Sequence, residues 1–200
     1  MKKILILTLP LMVMCFASCE KGNEEEWTDD SPIIQFKDPK FLEAALKGAS
    51  FEEREDFRVH GEIDKNKDGQ ISEKEASVVH GLDIGEAGIR NLEEIKYFTN
   101  LIHLNCTFNE LSTIDLSENN CLEELYCSNN QLTFLDVNKL SALKKLGCDN
   151  NQLKTLDVSN NTALIQLDCS NNQLSTLDLR NNTQLAELNC PYTLVSTKKS

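Results

Sequence analysis

The sequence predicts a solenoid of the α/β class, mostly parallel β-structure with loops on its convex side, preceded by a small α-helical cap. Two regularities carry this prediction. Cys106, Cys127, Cys148, Cys169 and Cys190 stand 21 residues apart, and so do Leu101, Leu122, Leu143, Leu164 and Leu185. Ahead of them, the loop at 64–75 places oxygen-bearing side chains at alternating positions around a glycine, the pattern of a cation-binding turn between two helices.

The first segment is an address. Lys2 and Lys3 precede an apolar run from Ile4 to Phe16, which Pro10 interrupts. The run falls short of the ~20 residues that a membrane-spanning helix needs, so residues 1–18 are expected to be a signal peptide. Phe16-Ala17-Ser18-Cys19 resembles a bacterial lipobox, with Phe16 where that pattern prefers Leu. The resemblance implies a lipid on Cys19 and attachment to a membrane. Residues 19–32 are polar and acidic, with Glu24-Glu25-Glu26 at their centre, and are expected to form a flexible tether. They also resemble the acidic stretch that sends Bacteroidota lipoproteins to the cell exterior. That resemblance implies a cell-envelope protein, lipid-anchored at the outer membrane and exposed at the surface. The formal charge is −12, falling to −14 once Lys2 and Lys3 leave with the leader, which argues against nucleic acid as a partner.

Residues 33–81 are expected to form the cap. Ile33 to Phe36 reads as a short strand, and Pro39 to Lys47 as a helix with proline in its first turn. The loop from Asp64 to Glu75 fits an EF-hand at each diagnostic position. Asp64, Asn66 and Asp68 supply side-chain oxygens, and Gly69 permits the turn. Gln70 offers its carbonyl, Ser72 acts through a water, and Glu75 closes the shell with two oxygens. Phe51 to Ile63 and Ser72 to Val79 are expected to be the entering and exiting helices. Calcium is therefore the expected cofactor. No second loop is found in the sequence, and the three methionines all lie in the leader, so the ion is expected to be structural rather than a sensor's.

Residues 82–192 form the repeat array and 193–200 a tail. The shared unit is L-x-x-L-x-C-x-x-N-x-L-x-x-[IL]-D-[LV]-x-x-[NL]-x-x. Leu82-Asp83-Ile84 begins an irregular first coil. One coil cannot bury its own apolar row, but coils stacked at ~4.8 Å merge their rows into one core. Leu104-Asn105-Cys106 and its successors give the main parallel sheet. Ile114-Asp115-Leu116, Leu135-Asp136-Val137, Leu156-Asp157-Val158 and Leu177-Asp178-Leu179 predict short extended segments on the opposite side. These residues resemble the leucine-rich-repeat family in its short bacterial form, and the cysteine at the sixth position of each unit resembles the cysteine-ladder repeats of internalins. The resemblance implies recognition of a protein or glycan through the sheet face. Leu140, where the other units carry Asn, is a departure.

The columns divide by role. The cysteines are expected to fill the core as small apolar groups, since no C-x-x-C spacing favours a metal and parallel side chains disfavour a disulfide. Asn109, Asn130, Asn151 and Asn172, with Asn119, Asn161 and Asn182, are expected to satisfy backbone groups at the bends. Asp115, Asp136, Asp157 and Asp178 are expected to cap locally, a weak cation row being the alternative.

The outward strand positions do not repeat, unlike the packed ones. His103, Asn105, Phe108, Glu124, Tyr126, Lys145, Asp168 and Glu187 are the candidate ligand-binding face. Unconstrained solvent-facing variation is the competing account of the same residues. Against an enzyme, the sequence lacks G-x-S-x-G, H-E-x-x-H and phosphate-binding motifs. His103 beside Glu124 and Tyr126 is its one acid–base constellation. A third reading is self-association through an open C-terminal coil.

Overall fold

The computed structural model describes residues 29–47, 63–191 and 193–197. The leader, Cys19, the bulk of the tether and the entering helix expected at 51–63 (Ile63 apart) lie outside the described residues.

The cap begins with α1 (Pro39–Leu46), whose N-cap Asp38 accepts from Lys40 N–H with proline at the first position. The other carboxylate oxygen of Asp38 accepts from Arg90 N–H at 2.7 Å and Asn91 N–H at 3.2 Å, so one buried side chain starts the helix and fastens it to the first coil. Burial raises the carboxyl's pKa, but the three backbone N–H bonds outweigh it and hold the group below its ordinary value. Helix α2 (Glu73–Ser77) starts at Ser72, with a reciprocal capping box between Ser72 and Glu75. Ile33 makes an isolated antiparallel bridge to Ser72 instead of the short strand expected at 33–36.

Six strands build the main sheet: β1 (Gly81–Asp83), β2 (His103–Asn105), β3 (Glu124–Tyr126), β4 (Lys145–Gly147), β5 (Gln166–Asp168) and β7 (Glu187–Asn189). All neighbours pair in parallel in that order, with Leu82, Leu104, Leu125, Leu146, Leu167 and Leu188 in one register. A strand turns alternate side chains inward, so in β2 to β5 the Leu and the Cys two residues later enter the core together, as do Leu82 of β1 and Ile84. Cys106, Cys127, Cys148 and Cys169 are accordingly buried, and all are free thiols. Burial pushes the Cys106 and Cys169 thiols up to about 12, and those of Cys127 and Cys148 well above their ordinary value. The column is thus packing material rather than reactive sulfur.

Each first-ladder asparagine joins two coils. Asn151 Nδ2 donates to Cys127 O at 3.0 Å and Cys148 O at 3.1 Å, while its Oδ1 accepts from Leu132 N–H at 2.9 Å. Asn109, Asn130 and Asn172 repeat the arrangement. The second ladder is half as connected. Asn161 Nδ2 donates to Val137 O and Leu140 O, but the buried Oδ1 atoms of Asn119, Asn161 and Asn182 have no hydrogen-bond partner among the described residues. Asp115, Asp136, Asp157 and Asp178 each accept from the N–H two residues on, the local capping that the sequence predicts.

Two expectations need correction. Of the four second-half segments, only the last enters a strand, as β6 (Thr176–Asp178). Its partner is β8 (Leu194–Ser196), which lies in the stretch expected to be a tail. The earlier three segments carry the same Asp cap as Asp178 but enter no strand; β6 differs in having β8 beside it.

Candidate functional site

The 21-residue register brings four of the sequence candidates into one cluster on the outer face of the sheet. Glu124 is its centre. Its Oε1 lies 2.8 Å from Lys145 Nζ on the next strand. Its Oε2 lies 3.2 Å from His103 Nδ1 on the preceding strand and accepts from Tyr126 Oη at 3.2 Å. The His103 and Tyr126 rings are 5.6 Å apart between centroids. His103 and Glu124 are only 6% and 8% exposed, so they support the surface from below, while Tyr126 and Lys145 present it. Burial raises the Glu124 carboxyl's pKa, yet the Lys145 hydrogen bond and charge, helped by His103, hold it below the ordinary value. The cluster is therefore a preformed, charged patch rather than a set of independent side chains.

Tyr126 owes its position to Gly147. A Cβ at 147 would stand 3.1 Å from Tyr126 Cδ1, so the missing side chain makes the notch into which the ring leans. Farther along the sheet, Asp168 accepts from Ser170 N–H and Oγ–H and from Asn189 Nδ2. Asn105 bonds to Asp83 at 3.0 Å and accepts from Thr107. Glu187 is exposed on the last strand, paired in register with Gln166. Asp83 and Asp149 are not among the sequence candidates, although Asp83 shares the row of Asn105, Tyr126 and Asp168, and Asp149 falls in the row of Thr107, Ser128 and Ser170. Asp149 accepts from Ser128 Oγ–H one coil back, a neighbour that the repeat register alone identifies.

Phe108 stands apart from the strands. It occupies the turn position that asparagine fills in the next three coils, and all four have a left-handed backbone: Phe108 at φ 53°, Asn129 at 56°, Asn150 at 52° and Asn171 at 52°. Asparagine tolerates that conformation, whereas a phenylalanine there is strained by about 1–2 kcal/mol. Its ring is nevertheless 57% exposed and gains little from burial. Phe108→Asn is expected to stabilise the fold by about 1 kcal/mol, read as a higher melting temperature. A lower one would mean that the ring contributes packing which outweighs the strain.

In the cap, the loop residues surround their own backbone. Asp64 accepts from Asp68 N–H and Gly69 N–H, Asn66 Oδ1 from Asp68 N–H, and Asp68 Oδ1 from Gln70 N–H. Gly69 has φ +80° with open space around it, as the sharp turn requires. Glu75 is fully buried. Its Oε1 accepts from Lys65 N–H at 2.7 Å and Asn66 N–H at 3.4 Å, and its Oε2 from Ser72 N–H at 2.9 Å. Among the described residues no three His, Cys, Asp or Glu side chains converge as a metal-ligand set. The donor chemistry still fits calcium, because the groups are all oxygens, three of them carboxylates, on a loop short enough to wrap one ion.

The sequence matches no family model and no curated protein. Solved structures are similar. The functional domain of InlJ from Listeria monocytogenes, which includes a cysteine ladder, is 43% identical, with a TM-score of 0.60 over 60% of this chain and 27% of that one. An internalin, InlF, from the same organism is 23% identical, with a TM-score of 0.60 over 81% of this chain and 43% of that one. A leucine-rich-repeat protein from Leptospira interrogans is 22% identical, with a TM-score of 0.54 over 62% of this chain and 34% of that one. The chain thus spans less than half the length of each, and the latter two bear on the fold alone. Stacked in-register strands, the asparagine ladder and these likenesses together make the chain a leucine-rich-repeat solenoid, with a cysteine column similar to that of InlJ.

Proposed function

We propose that the chain is a non-catalytic binding module of the cell envelope, which recognises a protein or glycan ligand through the outer face of its parallel sheet. The observation that carries this reading is the His103–Glu124–Tyr126–Lys145 cluster. Inward columns repeat their residue from coil to coil, whereas this row changes at every coil and is held in place by buried polar contacts. Such preorganisation lowers the entropy lost on binding. Phe108, strained and exposed on the turn after β2, is a further apolar group open to a ligand. The likeness to leucine-rich-repeat proteins supports binding over catalysis.

The module is lipid-anchored through Cys19 at the outer membrane and faces the exterior, and a calcium ion in the 64–75 loop stabilises its cap. Asp64, Asn66, Asp68, the Gln70 carbonyl, Ser72 through a water, and Glu75 would hold the ion. A second reading, self-association, is favoured by the last coil: Leu188 is 42% exposed and Leu194 75% exposed. Sedimentation over a range of concentrations distinguishes it, because a monomeric binder shows one invariant species.

The test is comparative capture from envelope extracts and on a glycan array, using the chain and its Tyr126→Ala/Lys145→Ala variant in calcium. The variant is expected to lose at least about tenfold in affinity for whatever the parent captures, as removal of two central contacts implies. Equal capture by both would rule out this face. For the anchor, Cys19→Ser is expected to abolish incorporation of labelled fatty acid.

A further inference from the structure

The calcium loop has an edge, and the chain's own N-terminal segment covers it. Between the loop and α2 the backbone around Ile71–Glu73 offers N–H and C=O groups to any passing strand. Residues 29–34 take them. Ile34 N–H donates to Ile71 O at 2.9 Å, and Glu73 N–H donates to Pro32 O at 2.9 Å. Lys74 N–H donates to Ser31 Oγ at 3.1 Å, and Ser72 Oγ donates to Asp29 Oδ2. The Ile33–Ser72 bridge lies within this set.

We infer that this contact is a calcium-dependent clasp: the ion and residues 29–34 order the same stretch of backbone, so each strengthens the hold of the other. This rests on the reading of 64–75 as a calcium loop. Ser72 is the shared residue. Its hydroxyl donates to Asp29 and accepts from Glu75 N–H, and its own N–H donates to Glu75 Oε2. Glu75 in turn holds Lys65 N–H and Asn66 N–H, at the opposite end of the loop. An ion that fixes Asp64, Asn66, Asp68 and Glu75 removes in advance the freedom that docking of residues 29–34 must otherwise remove, which couples the two events.

The clasp reaches farther than the loop. Ile34 and Ile71 are both buried, at 5% and 0% exposure. Two residues on, Phe36 packs edge-on to Phe41 of α1 at 5.0 Å, and the Phe41 ring lies tilted by 31° against Phe98 of the first coil, 5.9 Å between centroids. Residues 29–36 therefore tie the loop to the solenoid, and they directly follow the acidic segment 19–28.

Calorimetric titration with calcium chloride, combined with hydrogen exchange on the purified chain, tests this. In the parent, millimolar calcium is expected to slow exchange across residues 29–36 at least about fivefold. Asp29→Ala, a surface change that leaves the core intact, is expected to weaken calcium binding by a similar factor, because coupling between two sites is reciprocal. Glu75→Gln is expected to abolish both effects, with folding checked by circular dichroism. Calcium binding that is unchanged in Asp29→Ala, with exchange at 29–36 insensitive to the ion, would overturn the clasp and leave the calcium site standing. An absence of binding heat and of any rise in melting temperature in the parent would overturn both.

Discussion

Asn151→Ala is expected to destabilise the chain by about 3 kcal/mol, because each buried polar group left without a partner costs about 1–3 kcal/mol. For a chain of this size that corresponds to a fall of roughly 6–12 °C in melting temperature. The alanine takes away the acceptor of Leu132 N–H and the donor to Cys127 O and Cys148 O, in the middle of the stack where water cannot replace them. The second ladder supplies the control. Asn161 also makes two bonds to neighbouring coils, but both come from its Nδ2, and among the described residues its Oδ1 has no partner to lose, whereas the Oδ1 of Asn151 holds Leu132 N–H. Removing it strands only carbonyls, which tolerate under-satisfaction better than N–H groups do. Asn161→Ala is therefore expected to cost about half as much, and the chain itself places Leu140 in that column. Thermal melts of both variants decide the matter. Equal losses would mean that the Leu132 N–H bond contributes nothing to the difference between the ladders.

The same contrast explains what could be read from the sequence. Inward residues are dictated by the coil on either side, so they recur, and recurrence is visible in one sequence. The 21-residue period of Cys106 to Cys190 therefore sufficed for the sheet, its direction and its register. It sufficed for the adjacency of His103, Glu124 and Lys145 as well. It did not reveal that His103 and Glu124 are buried beneath Tyr126 and Lys145, since that depends on where each side chain turns within a row. Beyond Cys190 the period ends. Leu177 pairs with Val195, only 18 residues away, so the β6–β8 pair had no repeat to announce it. Likewise, the docking of residues 29–34 on Ile71–Lys74 joins segments about 40 residues apart with no shared pattern. The clasp became visible only through its hydrogen bonds.

Leu146→Ala is expected to cost about 3–4 kcal/mol, within the usual range for a buried leucine, whereas Leu188→Ala is expected to cost under about 1 kcal/mol. The two residues occupy the same register position, one inside the stack and one on its edge strand. Leu146 lies between Leu125 and Leu167 at 1% exposure, so an alanine there opens a cavity walled on both sides by rigid rungs that cannot close on it. Leu188 has Leu167 on one side and is 42% exposed, so much of its surface is hydrated already and solvent fills the space it leaves. In a one-dimensional stack, stability is roughly a sum of rung and interface terms, and a terminal rung has one interface instead of two. Denaturant melts should therefore show a lower midpoint for Leu146→Ala and a nearly unchanged one for Leu188→Ala. If Leu188→Ala costs as much as Leu146→Ala, that end of the stack is covered in solution. A midpoint that depends on protein concentration would then identify the cover as a second copy of the chain.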